Sequence, residues 1–79
     1  MLSRAQEARV RDLLTNHAPG IVRTYCLEHL AAHAQIPDSL LGALAAYVRN
    51  LRARGACHTQ YGGVCNAEEH QTTRVLIWG

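Results

Sequence analysis

Three breaks, at Pro19-Gly20, at Pro37 and at Gly55, divide the chain into three helical segments and an extended tail. Proline fixes its own φ and pushes the preceding residue out of the α region, so a helix cannot run through Ile36. Glycine accepts the left-handed conformation in which helices commonly end. Before the first break, Ser3 stands three residues ahead of Gln6, which is capping-box spacing, and Ala5, Val10, Leu13 and Leu14 give a modest apolar face. A first helix over about residues 4–17 follows from this pattern.

The next stretch, "GIVRTY", is too short for a helix, and Ile21 with Val22 suits a brief strand or an extended entry. Thr24 is the expected N-cap of a second helix over about residues 25–34. Past Pro37, Asp38 or Ser39 is expected to cap a third helix carrying Leu40, Leu41, Leu44, Val48 and Leu51 on its apolar side, with Gly55 as its C′ residue. Beyond Gly55 the pattern turns extended. Residues 72–78 are rich in β-branched and large apolar side chains, and residues 56–61 are the expected antiparallel partner. The reading is an α+β chain with three helices and a C-terminal β-hairpin. It forms a single domain over residues 1–79, without repeat, linker or low-complexity stretch.

A chain of 79 residues buries little apolar surface, so a staple is expected. Three cysteines are an odd number and no secretory pattern precedes them, which disfavours a disulfide framework. No apolar run has membrane-spanning length, and the expectation is a soluble cytoplasmic protein without a membrane partner. Five histidines beside the cysteines make a mixed sulfur and nitrogen metal site the better staple.

Two pairs suit such a site: Cys26-x2-His29 in the second helix and Cys65-x4-His70 in the tail. At about 100° per residue, His29 and His33 lie within about 60° of Cys26 around the helix, while Leu27, Leu30, Ala31 and Ala34 form the adjacent apolar stripe. Zinc accepts two thiolates and two imidazoles tetrahedrally. Cys57 and His58 would begin a strand and point to opposite faces, Cys57 as a small core residue. Whether Cys57, His58 or His33 replaces one of the four ligands stays open at this point.

Short helix, tight turn, longer helix and terminal hairpin resemble, in that order, a winged helix-turn-helix domain. More particularly, the chain is similar to small bacterial or phage domains of this shape that carry one Cys-x-x-Cys at the second helix and another beyond the wing. Here "YCLEHLA" and "VCNAEEH" stand in those places. The resemblance implies that Cys26, His29, Cys65 and His70 hold one structural zinc tying the second helix to the loop beyond the hairpin. Two cysteines of that pattern are histidines here, and Glu68 stands where the nearer second ligand would fall.

No orienting acid beside a cysteine and histidine, no phosphate loop and no paired carboxylates mark an enzyme, so none is expected. The net charge of +2 is modest, but Arg49, Arg52 and Arg54 crowd the end of the third helix. The start of that helix offers Ser39 and little else to a base edge. Arg49, Asn50, Arg52 and Arg54, with Arg74 on the hairpin, are the expected phosphate contacts. The resulting expectation is a DNA-associated regulator that binds double-stranded DNA through its arginines. The alternative is a module for a protein partner that uses Gly42, Ala43 and Ala46 on the third helix and the hairpin. Trp78 fits either the core or a homodimer contact.

Overall fold

Reciprocal hydrogen bonds between Ser3 and Gln6 open the first helix. The Ser3 amide donates to Gln6 Oε1 at 2.8 Å and the Gln6 amide to Ser3 Oγ at 3.1 Å, the capping box that the sequence predicts. The structure is a computed structural model describing residues 1–15, 23–66 and 70–79, without the side chain of His70. Helix α1 spans Arg4–Thr15. Residues 16 and 17 of the expected helix, the Pro19-Gly20 break, and Ile21 and Val22 lie outside the described residues.

A two-residue strand, β1 (Tyr25–Cys26), leads directly into α2 (Leu27–His33). Cys26, extended at φ −74° and ψ 163°, takes the N-cap position expected for Thr24. Helix α2 ends with Gln35 in the left-handed region at φ 58°. The Gln35 amide donates to the Ala32 carbonyl at 3.2 Å and the Ile36 amide to the Ala31 carbonyl at 2.8 Å, a Schellman closure with Ile36 buried behind it. Arg9 of α1 adds a donor, Nε to the Ala34 carbonyl at 2.6 Å.

Neither Asp38 nor Ser39 caps the third helix through its side chain. Asp38–Leu40 form a 3₁₀ turn that feeds straight into α3 (Leu41–Ala53). This helix ends as its sequence predicts. Gly55 stands at φ 74°, its amide donates to the Arg52 carbonyl, and the Ala56 amide donates to the Leu51 carbonyl. Val10, Leu14, Leu30, Leu44, Val48 and Ile77 bring all three helices and the sheet into one apolar core. At the surface, Arg11 Nη1 donates to the Tyr47 hydroxyl at 2.8 Å, joining α1 to α3.

Strands β2 (His58–Cys65) and β3 (His70–Trp78) form an antiparallel hairpin longer than expected. With β1 they make a three-stranded antiparallel sheet of order β1-β3-β2. The described residues thus form an α+β fold of three α-helices and this sheet, with core side chains of all three helices packed with Tyr25 and Ile77. Cys65 closes β2 and His70 opens β3, so these two expected ligands belong to the hairpin's strands and not to a loop beyond it. No helix among the described residues is long and apolar enough to cross a membrane.

Tyr25, Ile77 and Thr59 are partners across the three strands, as are Cys26, Leu76 and Gln60. Successive strand residues point to opposite faces. Tyr25 and Ile77 therefore enter the helix-side core, while Cys26 and Leu76 meet Cys65 in a separate small cluster on the other face.

Candidate functional site

Cys65 reaches the Cys26 face because β2 breaks its alternation. Tyr61 pairs with Val75, which packs against the helix-side core, and strict alternation would put Gly63 and Cys65 on that same side. The register shifts between Tyr61 and Gly63, where Gly62 and Gly63 take φ 80° and 132°. A Cβ on Gly63 would meet Leu76 Cδ1 at 3.1 Å and Gln60 Nε2 at 3.2 Å, so Gly63 stands on the Leu76 face. Cys65, two residues on, shares it. The bulge re-aims the cysteine.

At the junction of β1 and α2, Cys26 Sγ lies 3.0 Å from His29 Nδ1. Cys65 Sγ lies 3.6 Å from the same nitrogen. One atom from each of the three residues falls within 4.8 Å of the others. Tetrahedral bonds of the usual zinc–sulfur and zinc–nitrogen lengths imply S···N separations of about 3.5 Å and S···S of about 3.8 Å. The triad is close to that size, and this Cys2His cluster could hold a metal ion.

Both cysteines are buried and His29 is half-buried. The Cys26 amide donates to Cys65 Sγ at 3.3 Å, and the Cys65 thiol faces the Thr24 carbonyl at 3.5 Å. Burial pushes the Cys26 thiol up, opposed by the backbone amide of His29 and reinforced by Cys65 and Glu28. A bound cation would favour the thiolate against that burial.

Of the other candidate ligands, His70 pairs with Cys65 through the backbone register, and its side chain lies outside the described residues, as do His17 and Glu68. Cys57 belongs to the helix-side core, its Sγ 3.7 Å from the Val48 carbonyl, and is not in the triad. His58 is exposed and stacks on its cross-strand partner Trp78 with ring centroids 5.7 Å apart. His33 meets the Tyr25 ring edge-on at 5.5 Å. Neither joins the triad.

The expected phosphate contacts separate into three groups. Arg74 Nη1 pairs with Glu28 Oε1 at 3.0 Å, linking β3 to α2. Arg54 Nε donates to Asn50 Oδ1 at 2.8 Å, so these two hold each other. Arg49 and Arg52 instead line a groove of about 160 Å³ between α3 and the hairpin. Val48, Val75 and Ile77 contribute to its wall, and Tyr61, 87% exposed, stands at its rim. Ser39 is exposed in the 3₁₀ turn and is not part of this groove. Sequence reasoning passed over Tyr61; its signal was an aromatic residue directly before Gly62-Gly63.

Comparison with known proteins gives no matching family model, no matching curated protein and no matching solved structure.

Proposed function

We propose that the chain is a small DNA-associated domain of the winged helix-turn-helix type, stabilised by one structural zinc and binding duplex DNA through arginine–phosphate contacts. The element order supports the architecture: α2, a short break, α3, then a hairpin beside α3 in the place of a wing. Two sulfurs 3.0 and 3.6 Å from one imidazole nitrogen, with all three atoms within 4.8 Å, support zinc, with Cys26, His29 and Cys65 as ligands. His70, the residue in register with Cys65, is the fourth ligand in this reading. Such a site is closed, so the ion ties β1 and α2 to the hairpin and performs no chemistry of its own.

The observation that carries the DNA reading is that Arg49 and Arg52 share one groove with no acidic partner among the described residues. Two cations one helical turn apart suit a phosphate backbone. Two phosphate contacts imply a slope of about −2 for log K against log salt. That is weak binding for one copy, and a homodimer would double it. The test is titration of a short duplex at several salt concentrations. The R49Q/R52Q double variant should lose most of the slope while keeping its melting temperature. A wild-type protein that fails to bind duplex at low salt would defeat this reading and leave a protein partner in its place.

A further inference from the structure

We propose that the groove between α3 and the hairpin takes a single unpaired base, stacked on Tyr61, with its flanking phosphates held by Arg49 and Arg52. This rests on the nucleic-acid reading above and names the form of nucleic acid the site prefers. Several features of the groove point the same way.

Its volume is about 160 Å³. An apolar cavity of about 150 Å³ is large enough for one six-membered ring. The groove therefore suits one ring. Its wall is apolar, with Val48, Val75 and Ile77, as the face of a base requires. At its rim, Tyr61 is the most exposed aromatic side chain among the described large hydrophobics, at 87%. An aromatic face of this kind stacks on any base.

Charge selects among the ring-bearing ligands. Arg49 and Arg52 both line the groove, and the described acids lie elsewhere, with Glu28 already paired to Arg74. A phosphodiester chain supplies one negative charge on either side of every base, so a stacked base brings its own two anions to these two cations. In a duplex each base is already stacked and paired. Only an unpaired base can enter without the cost of flipping it out. An aromatic residue in an acidic peptide offers similar groups without this fixed alternation of ring and charge, and it is an outcome of the test.

The experiment compares an 8-nucleotide single strand, as DNA and as RNA, with the matching duplex, using the full chain in its metal-loaded form. Single strand of either sugar should bind more tightly than duplex. Y61A should lower single-strand affinity by about five- to a hundred-fold and leave duplex affinity unchanged, while Y61F retains the stacking face and the affinity. R49Q/R52Q should weaken both substrates and flatten both salt slopes. Tyr61 is exposed, so the fold should survive its substitution, and an unchanged melting temperature verifies this.

Equal binding of single strand and duplex, or a Y61A variant that binds single strand like wild type, overturns the base-stacking proposal while leaving the phosphate reading intact. Duplex binding that is absent while Tyr61-dependent single-strand binding persists supports the base-stacking proposal and overturns the duplex reading. A peptide of alternating Glu and Phe that binds more tightly than single strand, and loses that affinity in Y61A, also overturns the proposal and identifies an acidic protein segment as the occupant.

Discussion

Thr24 and Asn66 hold each other beside the cluster of Cys26, His29 and Cys65. The Thr24 amide donates to Asn66 Oδ1 at 2.7 Å, and the Asn66 amide donates to Thr24 Oγ1 at 3.0 Å. The same Thr24 hydroxyl donates to the Val64 carbonyl at 2.8 Å. Thr24 lies two residues before Cys26 and Asn66 one residue after Cys65, so this clamp fixes the spacing of the two sulfurs across 39 residues of chain.

Removing the hydroxyl tests the clamp. Thr24→Ala deletes one accepted and one donated hydrogen bond, which should cost about 1–2 kcal/mol of stability. It should also weaken metal binding by about tenfold, the usual scale for groups that orient ligands. Thr24→Ser keeps the oxygen and should restore most of both. Urea unfolding and zinc competition with a chromophoric chelator measure the two effects. Equal metal affinity in Thr24→Ala and wild type would show that the clamp plays no part in the site.

The ligand assignment makes a sharper prediction. Protein prepared without chelator should hold one zinc per chain, and stripping it should lower the melting temperature, because metal binding in a small site is part of its folding free energy. Cys26→Ala and Cys65→Ala should both lose the ion, while Cys57→Ala keeps it. Among the histidines, His29→Ala and His70→Ala should weaken zinc binding and His33→Ala should leave it alone. Elemental analysis of each purified variant decides the matter, and loss of zinc from Cys57→Ala would reject the assignment.

Gly63 offers an independent handle on the same geometry. Its φ of 132° is strained for any residue with a Cβ, and that Cβ would press on Leu76 Cδ1 and Gln60 Nε2. Leu76 packs with Cys26 and Cys65. Gly63→Ala should therefore cost about 1–3 kcal/mol and weaken zinc binding together with stability. Gly42 in the first turn of α3 is the contrast, since a Cβ there meets nothing within 4 Å. Gly42→Ala should raise stability by about 0.5–1 kcal/mol. Parallel thermal melts of the two variants, with zinc titrations, check both signs.

The strongest local signals were legible in the sequence. The Ser3/Gln6 capping box, Gly55 at the end of α3 and the apolar run that becomes the end of β3 all stand where their residue types place them. Cys26 and His29 were legible for a similar reason, being three residues apart, and Cys65 is singled out by its spacing from His70 and by the resemblance. Features that depend on distant partners were not. Strand β1 is two residues long and exists because Tyr25 and Cys26 pair with Ile77 and Leu76. Thr24 looks like a helix cap until Asn66 claims its hydroxyl. Gln35 carries none of glycine's freedom, yet it closes α2 in the left-handed region because Ile36 is drawn into the core behind it. Likewise, nothing local in Arg74 reveals that Glu28, 46 residues away, holds it.

The last prediction concerns pH. Cys57 is buried in the helix-side core, and burial raises its thiol pKa above the ordinary 9.0, with the Arg52 charge opposing. A raised folded-state pKa means that the native protein keeps the proton while the unfolded chain gives it up. The associated stability is fully present below the unfolded thiol pKa and is lost as pH rises through the folded one. Tyr25 is raised by burial in the same direction, so the wild-type protein should weaken progressively above about pH 9. Comparing wild type with Cys57→Ala isolates the thiol, because Tyr25 contributes equally to both. At pH 7 the variant should be less stable by about 1 kcal/mol from lost packing. That gap should stay constant up to about pH 8 and narrow above pH 9. Urea unfolding at intervals from pH 7 to about pH 10.5 measures it, and a gap that stays constant or widens over the alkaline range would contradict the buried, protonated state of Cys57.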